Sequence, residues 1–129
     1  SELHLPLFDF VDGLIENGKK AASTNFNLQG AMLPHTTDIW KIPFLQAATA
    51  YWGSWVGAGA WLGRHYWEHY LYTGDEQFLR ERAFPALEQI AQFYSDWLMT
   101  DPRDGKLSSF KTTLSKSFLL LFTFAVLFI

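Results

Sequence analysis

Between Leu5 and Ala22 the apolar residues Leu7, Phe10, Val11, Leu14 and Ile15 recur every three or four positions, which lays them on one stripe of an amphipathic helix. Pro6 falls in its first turn, where a missing N–H costs nothing. From Ser23 to Pro43 no period persists. Asn25, Asn27, Gly30, Pro34 and Pro43 predict a long irregular connection, and loops of that length inside a domain tend to carry function. Tyr51 to Tyr72 predicts a second helix, dense in aromatic residues and apolar on nearly every face, hence a buried inner-wall helix. Its glycines, Gly53, Gly57, Gly59 and Gly63, each lower helix propensity by about 1 kcal/mol relative to alanine. Close approach of another helix or of a ligand is expected to offset that loss.

Thr73-Gly74-Asp75 predicts a turn, with a glycine suited to a left-handed C-cap and an aspartate suited to capping the next helix. A short helix to Ala83 follows. Pro85 then opens another, in which Leu87, Ile90, Ala91, Tyr94, Trp97 and Leu98 keep a 3.6-residue period. Asp101-Pro102-Arg103-Asp104-Gly105 is turn chemistry. No window alternates as a strand would, so the pattern predicts an all-α chain. Ser108 to Ser117 is polar, and Phe118 to Ile129 is apolar apart from Thr123. As a helix that run spans about 18 Å, short of the roughly 20 residues that cross a bilayer. No membrane span is expected from it; a buried strand or helix, a shortened anchor, or a tail from a shifted reading frame are the open readings.

Composition narrows the chemistry. A chain of 129 residues can hold one small domain. Aromatic residues make up 18% of it, including 6 Trp, a stock that suits stacking on sugar rings and equally suits an ordinary core. A net charge of -3 leaves no basic surplus to neutralise phosphates, so no nucleic-acid partner is expected. The absence of cysteine excludes disulfide scaffolds, thiol nucleophiles and thiolate zinc sites. The chain opens on Ser1 with no basic and apolar leader pattern, which implies either a removed signal or a start further upstream.

His65-Tyr66-Trp67-Glu68-His69 fits the H-x-x-E-H spacing that brings two zinc ligands and a general base to one helix face. Without an evident third ligand, the expected reading is two hydrogen-bonded or buried histidines, no metal, and an Arg64–Glu68 ion pair at i, i+4. His35-Thr36-Thr37-Asp38-Ile39-Trp40 gathers an imidazole, two hydroxyls, a carboxylate and an indole within the long connection. That mixture suits sugar hydroxyls and the apolar face of a pyranose. The same residues suit a capped turn built on Thr37 or Asp38, and on these residues alone the two readings stand level.

The segments Leu5-Pro6-Leu7-Phe8-Asp9-Phe10, His35-Thr36-Thr37-Asp38-Ile39-Trp40, Gly59-Ala60-Trp61-Leu62, Trp67-Glu68-His69-Tyr70 and Thr73-Gly74-Asp75 agree in order and spacing with one pattern. Together with Glu16-Asn17-Gly18 and Phe78-Leu79-Arg80-Glu81-Arg82-Ala83, they resemble the catalytic domain of glycoside hydrolase family 95 across residues 1 to 107. The resemblance implies a partial (α/α)6 barrel, with residues 108 to 129 as a divergent apolar tail. It also implies an α-L-fucosidase that inverts the anomeric centre, with a fucosylated glycan as partner, no cofactor, and a secreted or extracytoplasmic setting.

The family's general acid is a glutamate in an S-P-E-N stretch soon after the D-P-x-x-G turn. In register it falls near Lys116, where this chain reads Thr113-Leu114-Ser115-Lys116-Ser117. A lysine ammonium cannot protonate a glycosidic oxygen in that role. No catalytic residue is therefore assigned, and the chain alone is expected to be inactive. His35, Thr37, Asp38 and Trp40 are the sugar contacts that the resemblance carries over. The rival expectations are a non-catalytic carbohydrate-binding or helical interaction module, and an α-L-galactosidase of the same family. Helices cut off from missing neighbours would expose apolar surface and favour self-association.

Overall fold

A computed structural model describes residues 2–43 and 55–109. Expectations that fall on Tyr51 to Ser54, including the start of the second helix, and on the stretch from Phe110 onward, with Lys116 and the apolar run, lie outside them. After a single 3-10 turn at Glu2–His4, helix α1 covers Leu5–Ala21; Val11, Leu14 and Ile15 are buried as the expected stripe has them, Leu7 and Phe10 of that stripe are only partly buried, and Phe8, which it left out, is fully buried. A π-helical turn, Ala22–Phe26, ends on left-handed Asn27, whose tolerance of that conformation releases the chain from the helix. Residues 28 to 43 then run irregularly. Met32 donates its N–H to the Gly18 carbonyl and Ala31 to that of Gln89, so the connection is tied to a helix on either side.

Helix α2 spans Ala58–Thr73, a short helix α3 spans Glu76–Phe78, and after a second π-helical turn, Leu79–Ala83, helix α4 runs over Phe84–Trp97. Gly74 caps α2 at φ 64°, and Asp75 Oδ1 accepts the Phe78 N–H at 2.9 Å, as turn chemistry anticipates. α2 runs antiparallel to α4: Gly59 faces Tyr94, while Gly63 faces Leu87 and Ile90. A Cβ at Gly63 would stand 3.1 Å from Leu87 Cδ2, so glycine there lets the helices sit a few tenths of an ångström closer, and it is a helix rather than a ligand that approaches it. The Tyr94 hydroxyl stitches the same contact by donating to the Val56 carbonyl and accepting the Ala60 N–H.

Three expectations are corrected. The irregular connection expected from Ser23 begins only at Asn27, because Ala22–Phe26 form a helical turn. Leu98 leaves the helical period and opens a strand: β1 (Leu98–Thr100) pairs antiparallel with β2 (Leu107–Ser109) around the Asp101 to Gly105 turn. The turn was legible, but three-residue strands are too short to alternate. α2 is also not apolar-buried on every face, because Trp61, Trp67, Leu71 and Tyr72 are exposed. With that small hairpin aside the fold class is all-α, as expected, and among the described residues no helix is long and apolar enough to cross a membrane.

An aromatic core joins the helices. Phe8 stacks within 4.5 Å of Tyr66 and 5.2 Å of both Phe78 and His69, measured between ring centres. Above it Arg82 binds Asp12 at 2.8 Å and Asp9 at 2.5 Å, and Tyr66 donates its hydroxyl proton to Asp12. Burial, together with that carboxylate, pushes the Tyr66 hydroxyl's pKa well above the ordinary phenolic range, so it stays a donor.

His69 is 6% exposed, and its Nδ1 lies 3.4 Å from that of His4. Desolvation lowers its pKa, with the nearby positive charges of His4 and Arg82 adding and Asp75 opposing. The unfolded chain therefore takes up a proton near pH 6.5 that the folded chain resists, so stability is complete above that value and declines as pH falls below it. The thermal midpoint is expected to drop between pH 7.5 and 5.5, and His69→Gln to flatten that slope. A wild-type midpoint indifferent to pH over this range would refute the assignment.

Candidate functional site

The connection between α1 and α2 comes to rest over α1 through one residue. Lys41 adopts a left-handed backbone at φ 62°, its carbonyl accepts Asn17 Nδ2 at 2.8 Å, and its Nζ donates to the Asp9 carbonyl at 3.0 Å. The ammonium also lies 5.9 Å from the centre of the Phe10 ring. One helical turn of α1 to either side of Gly13 therefore grips the loop, and grips it by backbone as well as side chain.

Within the loop Asp38 organises the turn. Its Oδ1 accepts the N–H groups of Trp40 at 2.9 Å and Ile42 at 3.2 Å, while its carbonyl accepts that of Lys41 at 3.0 Å. Thr37 Oγ1 donates to the Ile42 carbonyl at 3.0 Å. This is the capped turn that the residue types allowed, since a short carboxylate side chain bonds its own backbone two residues on.

Beneath the loop a cleft of about 240 Å³ opens between α1 and the start of α2. Leu7, Phe10, Val11 and Leu14 form its α1 wall, with Ala58, Trp61 and Leu62 opposite. His35 and Thr37 line its edge together with Trp55, whose indole meets the His35 imidazole edge-to-face at 6.0 Å between ring centres. Of the four anticipated sugar contacts, the structure thus brings His35 and Thr37 to one cleft. Asp38 shapes the loop behind them, and Trp40 stands 73% exposed beside it, neither of them lining the cleft. Trp55 and Trp61 are cleft residues that spacing alone did not single out. The signal was available, since both fall where the aromatic-rich segment meets the loop.

The H-x-x-E-H histidines part company. His65 packs against Trp61 and lies 4.0 Å from Glu68, whereas His69 packs into the aromatic core against His4 and Phe78. Arg64 instead holds Glu68 at 2.6 Å, the anticipated ion pair. Among the described residues no three His, Cys, Asp or Glu side chains converge to hold a metal.

Known proteins carry related sequence. Residues 1–116 match the family model described as the glycosyl hydrolase family 95 catalytic domain, nine residues (116 less 107) past the point where the sequence resemblance was drawn to a close. The chain is similar to Alpha-L-fucosidase 2 of Arabidopsis thaliana, 38% identical over 112 residues that make up 87% of this chain and 13% of that protein. It is also similar to Probable alpha-fucosidase A of Aspergillus niger, 35% identical over 60 residues, or 45% of this chain and 8% of that protein. The chain therefore spans a small part of the length of the curated relatives that it matches.

Proposed function

This chain belongs to the family of glycosyl hydrolase family 95 catalytic domains, and from that premise we propose that it supplies part of a sugar pocket for hydrolysis of terminal α-L-fucosyl linkages with inversion. The partial (α/α)6 barrel expected from the sequence agrees with both the helical architecture and the family. The observation that carries the reading is the cleft, in which an imidazole and a hydroxyl stand at the edge and two indoles flank an apolar floor. His35 and Thr37 bind sugar hydroxyls there, and Trp55 or Trp61 lies against the less polar face of the ring. Asp38 holds the loop through Oδ1 behind the cleft, and Trp40 stands exposed beside it, where each borders a bound sugar rather than flooring it. The partner is a fucosylated glycan; nucleic acid finds no basic surplus in a chain of net charge -3.

An inverting glycosidase needs a protonated carboxyl at the leaving oxygen and a second carboxylate across the ring that activates water. The four residues assigned to the cleft and its loop include a single carboxylate, Asp38, and it is held in the loop turn, so they do not make that pair. A nitrophenyl α-L-fucoside is expected to be hydrolysed at background by the purified 129-residue chain, and robust turnover would overturn the assignment of no catalytic residue. L-Fucose is expected to give ligand-observed NMR transfer signals that fall on His35→Ala. Signals equal in both chains would remove the cleft from the reading while leaving the family membership intact.

A further inference from the structure

We propose that Lys41 is a positioning residue for sugar binding: its ammonium, laid across Gly13 of α1, sets His35 and Thr37 at the edge of the cleft. The proposal rests on the cleft being the sugar pocket. The contact is built from both sides. A Cβ at Gly13 would lie 2.5 Å from Lys41 Cδ, 2.5 Å from its Nζ and 3.0 Å from its Cε, and no other atoms come nearer, so the absent side chain is the seat of the lysine stem. Glycine is a poor residue for a helix interior, and here its bareness lets a side chain from the loop reach the helix backbone. There the ammonium donates to the Asp9 carbonyl at 3.0 Å, one turn before Gly13. One turn after it, Asn17 Nδ2 donates to the Lys41 carbonyl at 2.8 Å and fixes the left-handed backbone of the lysine, at φ 62°.

Three hydrogen bonds carry that placement into the loop. The Lys41 N–H donates to the Asp38 carbonyl at 3.0 Å, the Ile42 N–H donates to Asp38 Oδ1 at 3.2 Å, and the Ile42 carbonyl accepts from Thr37 Oγ1 at 3.0 Å. With its proton committed to Ile42, the Thr37 hydroxyl meets the cleft as an acceptor, and a sugar hydroxyl is the donor. The ammonium also lies 5.9 Å from the centre of the Phe10 ring, which belongs to the α1 wall of the cleft, so one cation ties the loop and the wall together. A loop set in this way before the ligand arrives has less freedom to lose on binding.

The test sets L-fucose affinity, from a ligand-observed NMR titration of the full 129-residue chain, against the thermal midpoint of the same samples. Gly13→Ala is expected to part the two. Alanine favours the helix, and the atoms in its way are the far end of one flexible side chain, so the midpoint is expected to hold or rise while fucose binding weakens about fivefold. Lys41→Met keeps the unbranched stem and removes the donor and the cation. It is expected to weaken binding by a similar factor, with a midpoint within about 3 °C of wild type. Lys41→Arg, which keeps both a donor and a cation for the Phe10 ring, is expected to bring binding back to within about twofold of wild type. Gly13→Ala combined with Lys41→Met is expected to bind no more weakly than either alone, because both remove one contact. Undiminished binding in Gly13→Ala and Lys41→Met, or binding that falls only where the midpoint falls as well, would overturn the proposal and leave the cleft as the sugar pocket. Absence of any fucose signal from wild type would overturn both.

Discussion

Gly30→Ala is expected to destabilise the chain by roughly 3 kcal/mol, from backbone strain and overpacking acting together. Gly30 sits at φ 74°, and a Cβ there would lie 2.3 Å from the Phe93 nitrogen and 2.4 Å from the Gln89 carbonyl oxygen. Those are backbone atoms of α4, so no side-chain rotation relieves the clash. The loop must lift, and lifting it breaks the Ala31 N–H bond to Gln89 at 2.8 Å and the Gln29 N–H bond to Asp96 at 3.2 Å. Urea unfolding followed by far-ultraviolet circular dichroism measures the loss. Because the same segment leads into His35, fucose binding should fall with it. A variant as stable as wild type would mean that the loop does not lie against α4 as described.

Phe8→Ala is expected to cost more, roughly 3 to 5 kcal/mol. Phe8 is fully buried and joins elements far apart in sequence: Tyr66 and His69 on α2, Phe78 at the end of α3, and Arg82, whose guanidinium carbon lies 5.7 Å above its ring. Removing the ring leaves a cavity whose walls are themselves large aromatic rings, which collapse poorly into empty space. Arg82 also loses the surface over which it reaches Asp9 and Asp12. The expected readout is loss of a cooperative melt at 25 °C with helical signal partly retained. Phe8→Leu, which keeps most of the volume, should recover the transition; failure of the leucine variant to recover it would mean that the ring contacts, and not the filled volume, hold the core.

The contrast between the two helices that read well and the one that did not has a physical cause. α1 and α4 each bury one stripe against the core, and Val11, Leu14, Ile15, Ile90 and Tyr94 fall where their period sets them, although the buried face is turned by a residue to take in Phe8, Ala86 and Phe93. α2 buries Gly63, Tyr66 and His69 on one side, but on the other it sets Trp61, Leu71 and Tyr72 around Arg64 and Glu68, so its large apolar residues alone do not tell inside from outside. Its beginning was blurred for a related reason. Trp55 and Val56 extend the apolar run, yet they precede the helix, with the Val56 carbonyl taken by the Tyr94 hydroxyl.

In the candidate site, the residue types of the 35 to 40 loop foretold both a sugar-like mixture and a capped turn, and the structure makes the turn from Asp38. Which neighbours meet His35 and Thr37 depended on contacts across distant positions, with Phe10 from one helix and Trp61 from another. The grip of Lys41 on Asn17 and Asp9 was likewise invisible, because nothing local marks a lysine whose backbone turns left-handed. The Arg82 pairings reach back 70 and 73 positions, to Asp12 and Asp9, a separation that no periodicity encodes.

The π-helical turn at Leu79–Ala83 carries one more implication, about tolerance of insertions and deletions. A wide turn of that kind stores a single surplus residue without rotating the helix on either side of it. Elsewhere in the rod from Glu76 to Trp97, losing one residue would swing everything downstream by about 100° and carry Ile90 and Phe93 out of the core. Removal of one residue is therefore expected to be tolerated best within the five residues between Phe78 and Phe84, where the helix can shorten by one and keep its bearing.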